Sequence, residues 1–584
     1  MADRASIAGP GSGSARVGRR WLAASAALLL PVAGARAQQP EGQPADSLPA
    51  SCEGLTVTAV DVEPEPPRLL SGGPWLWRAA GKVLLQQRTT RPHVARDFLR
   101  LEPGDRCTDD ERAESERILR AQPFLADAEL RAVPDGAGGV RLVVRTVDEV
   151  PLVIGGSIRD DRVSSARFGN SNVLGQGWYA AGRWEEGGAF RDGAGLRLAH
   201  YHAFGGPNVV VLDAERAPLG HDVQGSIAHP FYTPLQRVAW TAAYRNEERY
   251  LGLRRRGAPT VSLPADREQW SGGGVVRVGG ARLGLFAGAL AFHDRIEPTG
   301  APVVVTDAGL VADGVPPLEG YGTTSVTHVA GVLGASALSF LRVEGFDALE
   351  GPQDVGRGLQ LQAAVDPGVG SGRFYAGDAY AGVGTPHWFV AARGTAEGRQ
   401  PDDAEGWRDV VVGGRAAWYL KPAARRTIIT SVEYAGVWSS RLPHQLTLAD
   451  RRGGLRGYRD ADYAGGRRLV VRSEYRRLVG SVGGLATLGL AGFGEGARLW
   501  PGDAPYGARS GTRGSVGLGL LAAVPRPSRR MLRADVAVPV VRGGGAEWEV
   551  RVSASSTARG FWREPFEVAR LRTSALASGL FTWP

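Results

Sequence analysis

The chain has 584 residues, 83 of them glycine, and a net charge of +9. Beyond residue 37 no run approaches the ~20 apolar residues of a membrane-crossing helix, which excludes a helical membrane protein. Lysine occurs only at Lys82 and Lys421, and the arginines scatter at alternate positions instead of forming a stripe, which argues against nucleic acid as a partner.

Residues 1–37 have the wording of a secretory signal. Arg16, Arg19 and Arg20 precede the apolar run 21–30, and Ala35-Arg36-Ala37 supplies a small-x-small cleavage site. Residues 38–51 form a polar, Pro-rich linker. A small α+β domain is then expected over 52–149. It opens with an alternating strand at 55–62, followed by a Pro- and Gly-rich loop and a short helix at 75–87. A second helix is expected at 91–101, with Val94, Phe98 and Leu101 on one face. Thr108-Asp-Asp-Glu111 reads as a capping box that opens a third helix, and Pro123 closes it. Strands at 125–133 and 140–147 follow, joined by the turn 134–139. Cys52 and Cys107 are an even pair in an exported chain and are expected to form a disulfide. Neither has His or Cys at metal-ligand spacing, so no metal is expected.

From residue 150 to 562 the texture is uniform. Val238, Trp240, Ala242 and Tyr244 oppose Thr241, Arg245 and Glu247. Leu469, Val471, Ser473 and Tyr475 oppose Arg468, Arg472, Glu474 and Arg476. Trp548, Val550, Val552 and Ala554 oppose Glu549, Arg551 and Ser553. Period-2 alternation over so long a stretch marks strands with one apolar face and one wet face, the pattern of a transmembrane β-barrel. Fourteen, sixteen or eighteen strands divide the length acceptably.

Within this region stands Gly453-Gly454-Leu455-Arg456-Gly457-Tyr458. Glu474 follows in the alternating segment 468–476, and Glu495 follows in Phe493-Gly494-Glu495-Gly496. Gly454 and Gly457 allow a sharp loop tip around Arg456. A guanidinium fork suits two carboxylates, so the order reads as a loop cation plugged into an acidic lumen site. This order resembles the signature of the BamA/TamA-like superfamily of outer-membrane insertases and translocators. Asn172-Val-Leu-Gly175-Gln-Gly177, His229-Pro-Phe-Tyr232, 516–520 and 532–539 resemble further strand and turn motifs of that family. Residues 52–149 resemble its periplasmic POTRA module.

The resemblance implies a mainly β protein: an antiparallel transmembrane barrel of about sixteen strands over 150–562, preceded by one POTRA domain. At sixteen strands the barrel region allots about 26 residues to each strand and its connection, room for ~10-residue strands. The resemblance puts Glu474 on strand 12 and Glu495, where the family usually has aspartate, on strand 13. It also implies a lateral seam between a first strand at 150–158, weakened by Gly155 and Gly156, and the last strand. Residues 563–584 are either an extension after a last strand at 546–556 or themselves the final strand; the cleaner alternation at 546–556 favours the extension. The implied function is insertion or translocation of other proteins at the bacterial outer membrane, with the POTRA domain in the periplasm. The implied partners are outer-membrane lipid and lipopolysaccharide, unfolded client proteins and periplasmic accessory proteins. Alternatives are a passive pore or surface antigen, and a transporter of one dedicated secreted partner. No Gly-x-Ser-x-Gly or His-Glu-x-x-His occurs after residue 37, so neither an enzyme nor a cofactor is expected.

Overall fold

The computed structural model describes residues 51–67, 89–556 and much of 562–581, short loop stretches apart. The signal segment, all of the linker but Ser51, and the helix expected at 75–87 lie outside the described residues. All that follows belongs to the compact unit Ala50–Pro584.

Among the described residues the small domain is a three-stranded sheet with two helices. β1 (Val57–Glu65) lies parallel to β3 (Val140–Asp148), and β2 (Leu125–Pro134) lies antiparallel on the other side of β3. Helix α1 covers only Pro92–Arg96, shorter than the apolar spacing to Leu101 predicts. The Arg100 amide donates to Ser115 Oγ (2.8 Å) and not to a helical carbonyl, although Val94, Phe98 and Leu101 still face one core. In α2 (Asp109–Ala121), Thr108 Oγ1 accepts from the Glu111 amide (3.2 Å) and donates to its carboxylate (3.0 Å). The glutamate thus returns the bond to the hydroxyl. Cys52 and Cys107 are joined as a disulfide that ties the start of this domain to the threshold of α2.

The larger part is a closed antiparallel barrel. Its first strand is Leu152–Arg159 and its last Glu549–Ser556. Among the described residues twenty strands pass round the wall, not sixteen. A small hairpin, Val303–Thr306 with Gly309–Val311, extends the connection between the ninth and tenth strands and is not counted, because those strands also pair directly. The larger number fits because connections are tighter than the expected spacing allows. Only Ser371 separates the strand Pro352–Gly370 from Gly372–Gly384. Val516, Leu518, Leu520, Val550 and Val552 are exposed outward, whereas Ser515, Asp535 and Glu549 are buried. An apolar exterior around a charged interior is a surface made for lipid.

Two segments fill the lumen. The loop between the fifteenth strand (Arg426–Trp438) and the sixteenth (Arg467–Val482) folds inward and carries a short hairpin, Leu446–Thr447 with Ala464–Gly465. Residues beyond the last strand also turn inside, with a one-turn helix α3 (Phe566–Ala569). Val568 packs with Leu446, Leu448, Leu455 and Tyr458 of the loop in one buried cluster. Among the described residues the last wall strand is Glu549–Ser556, and the described part of 563–584 is lumen filling.

The small domain docks on the barrel end opposite this loop. Arg120 pairs with Asp354 (2.8 Å), Arg529 donates to the carbonyls of Gln122 and Leu125 (2.8 and 2.6 Å), and His202 meets Asp97 (2.6 Å). The Asn172–Gly177 turn is pressed against the domain. The Arg91 amide donates to the Gly175 carbonyl (2.9 Å), and a Cβ on Gly175 would stand 2.2 Å from the Thr89 carbonyl oxygen. Gly175 also has φ +70°, so a side chain there is strained as well as crowded. Gly175→Ala should loosen this junction, seen as faster hydrogen exchange at the Arg91 amide; unchanged protection would show that the contact does not hold the domain.

The same junction buries a carboxyl. Thr90 donates to Asp148 from its amide (2.7 Å) and its hydroxyl (2.6 Å), and Asn172 Nδ2 donates to Thr90 Oγ1 (2.9 Å). Burial pushes the Asp148 carboxyl up to about 6. The folded state holds this proton more tightly than the unfolded chain does. The stabilisation is full below a pH of about 4 and is lost as pH rises through about 6, amounting to about 3 kcal/mol. Small-domain stability should fall across that window, and Asp148→Asn should flatten the fall. A wild-type slope in the variant would exclude Asp148 as its origin.

Candidate functional site: the lumen lock

The inward loop brings Arg456 at its tip against three strands of the wall. The Arg456 amide donates to Glu495 Oε2 (2.9 Å), and its Nε donates to Oε1 (2.8 Å). Its Nη1 reaches Asp535 (3.1 Å), and its Nη2 pairs with Glu495 (2.6 Å) and stands 3.6 Å from Glu474. The guanidinium carbon lies 3.4 Å from the centroid of the Phe493 ring. Face-on stacking of this kind adds a cation–π term to the ion pairs. Arg456 is only 9% exposed, so these contacts replace most of its hydration.

Alternation explains the convergence. Glu474 lies on the sixteenth strand and Glu495 on the seventeenth (Ala486–Trp500), not on strands 12 and 13, because four more strands precede the loop than sixteen allowed. Both point inward, while Val471 and Tyr475 point out. Glu474 is held in turn by Arg476 (2.5 Å) and by both terminal nitrogens of Arg533 (2.9 and 2.7 Å). Arg533 also bonds Asp535 (2.6 Å) and Arg472 pairs with Glu495 (3.7 Å), so one carboxylate network carries three arginines from the wall and one from the loop.

The rest of the tip is fixed as firmly. The Gly457 amide donates to Glu549 Oε2 of the last strand (2.9 Å), and the Tyr458 hydroxyl lies 3.2 Å from the carbonyls of Gly514 and Val541. Arg472 donates to the carbonyls of Gly453 and Gly454 (2.8 Å each). A Cβ at Gly454 would stand 1.9 Å from the Leu448 carbonyl oxygen, so no larger residue fits that turn. Leu455 is fully buried. Asp535, Glu549 and the ring of Phe493 were not singled out from sequence. The two carboxylates do carry a legible signal, since each alternates with outward-facing apolar residues.

Gly155 and Gly156 lie in the first strand and pair with Arg167 and Ala166 of the second. The wall closes where that strand meets Glu549–Ser556. Each of these two strands has eight described residues, as has the third (Trp178–Glu185), against 22 in Ala258–Gly279. At the small-domain end Arg530 donates to the Val150 carbonyl (2.7 Å) and to Ser171 Oγ (2.8 Å), clasping the junction from the nineteenth strand.

No family model and no curated protein matches the chain. Solved structures do. BamA from Haemophilus ducreyi lacking POTRA domains 1–3 is 12% identical at a TM-score of 0.38, over 86% of this chain and 85% of that one. CdiB from Escherichia coli is 12% identical at 0.43, over 88% and 91%. CdiB from Acinetobacter baumannii is 9% identical at 0.39, over 86% and 74%. The architecture stands on the strand order itself.

Removing the arginine leaves buried carboxylates facing one another. Arg456→Ala should cost about 3–5 kcal/mol, read as a lower temperature for loss of the compact, heat-modifiable band. Arg456→Lys should fall between, because an ammonium cannot fork between Glu495 and Asp535. Equal behaviour of Lys and Ala would mean that charge alone contributes nothing.

Proposed function

We propose that the chain assists insertion or translocation of other proteins at the bacterial outer membrane, through a lateral seam between its first and last barrel strands. The observation that carries this reading is the Gly457–Glu549 bond. It fastens the last strand to the inward loop, independently of its ladder with the first strand. A wall supported in this way can part at the seam without the barrel coming apart. The short first and last strands favour the same place.

An opened seam presents unpaired backbone donors and acceptors, which lipid cannot satisfy. An incoming client strand satisfies them by β-augmentation, and hydrogen-bond exchange drives the transfer. We read the small domain as a POTRA module that delivers unfolded clients from the periplasm, with accessory proteins as further partners. The outward apolar face would meet outer-membrane lipid and lipopolysaccharide. No catalytic step or cofactor enters this scheme. A passive pore fits less well, because loop and tail both occupy the lumen.

The test is a reducible cross-link between one cysteine in Leu152–Arg159 and one in Glu549–Ser556. Folding of a client barrel in liposomes should stop when the seam is locked and resume on release, with cysteine-free-seam protein treated in parallel. Client folding that ignores the lock would refute the seam, and no acceleration in either state would refute assistance altogether.

A further inference from the structure

The tail is held as a bound peptide is held, through its backbone as well as its side chains. Arg415 donates to the Trp562 carbonyl (3.1 Å). Arg267 donates to the carbonyls of Arg570 and Arg572, and Glu397 accepts from the Thr573 amide (2.6 Å). Side chains add ion pairs: Arg570 with Glu247 (3.1 Å), Arg572 with Glu397 (3.6 Å) and Glu567 with Arg468 (3.3 Å). These wall groups come from strands on several sides of the lumen. At the small-domain end the Phe231 amide donates to the Leu580 carbonyl (2.8 Å), and Phe581 packs on Phe231 and Phe286 with centroids 5.3 Å apart in each case.

Among the described residues the tail forms one four-residue helix and a single bridge, Phe231 with Phe581. These described tail residues take no part in the barrel ladder, so their departure breaks no described strand pairing. Departure would, however, leave buried charges such as Glu247 and Glu397 short of a cation they now have, a costly state unless another ligand takes its place. A replacement must offer what the tail offers: free backbone carbonyls and amides, and arginine side chains near them.

We propose that the described tail, residues 562, 564–573 and 580–581, is a removable plug, a resident ligand of the lumen, and that the wall groups around it form a binding site for an arginine-bearing polypeptide. The plug stands on geometry alone; that the incoming polypeptide is a client rests on the function proposed above. Wall arginines read any peptide backbone, whereas Glu247 and Glu397 select for cationic side chains.

The test compares ion conductance in planar bilayers for the full chain, a chain ending at Ser556, and the full chain carrying Arg570→Gln with Arg572→Gln. The full chain should conduct weakly, and the shortened chain severalfold more. A synthetic peptide of residues 562–584 should restore the block, and the same peptide with Arg570 and Arg572 replaced by glutamate should not. Equal currents from full and shortened chains would overturn the plug, and equal block by both peptides would overturn the arginine preference. If the shortened chain fails to fold, the double glutamine variant decides: frequent openings support the plug, and a wild-type current overturns it. Client folding is scored separately. Peptide block without any client effect would overturn the proposed function and leave the plug standing. Intact client folding in a barrel that shows no block would do the reverse.

Discussion

A guanidinium taken out of bulk water must find anions, and the far half of this molecule is arranged around doing that for Arg456. Its carboxylate partners come from the sixteenth, seventeenth and nineteenth strands, and the neighbouring amide takes a fourth from the twentieth. No local piece of chain can assemble such a set. The loop is held in place only if these strands are already in register, and the strands' inward carboxylates tolerate one another only if the loop is in place. Each condition enforces the other, so the lock reports on closure of the whole wall.

The same logic accounts for the near absence of lysine. A lumen carboxylate repeatedly has to be shared between two partners, or an arginine between two carboxylates. Arg533 bridges Glu474 and Asp535, and Arg267 holds Asp294 while donating to tail carbonyls. A planar fork makes two directed bonds at once, whereas an ammonium acts as a point charge. The preference visible in composition is thus a preference for branching contacts in a crowded, poorly hydrated interior.

Much of this was legible in the sequence, because the signals are local or periodic. Thr108 and Glu111 announce a helix start by their spacing alone. Arg456, Glu474 and Glu495 announce themselves by order, and alternation places both glutamates on the wet face. Asp535 and Glu549 share that alternation, but they sit in ordinary strand wording and were passed over. Strand number was not legible, because it depends on how tightly the chain reverses, and one serine at 371 suffices where a longer loop was expected. The tail reads in sequence as either an extension or a final strand, and nothing there points it inward. A segment held by groups on distant strands needs no period of its own, so Val568, Arg570 and Arg572 carry no pattern that names their partners.

The unequal strand lengths have a consequence for the bilayer. An eight-residue strand rises about 27 Å along its own axis and, tilted by about 40°, only about 20 Å along the barrel axis. The apolar band of an outer-membrane barrel is about 25 Å tall, and the long strands such as Ala258–Gly279 span it with room to spare. Beside the first and last strands the wall is lower than the hydrocarbon is thick. Lipid there has to thin and disorder, at a cost of a fraction of a kcal/mol per ångström of mismatch. The membrane is therefore softest over the sector of short strands, which takes in the first, the third and the last.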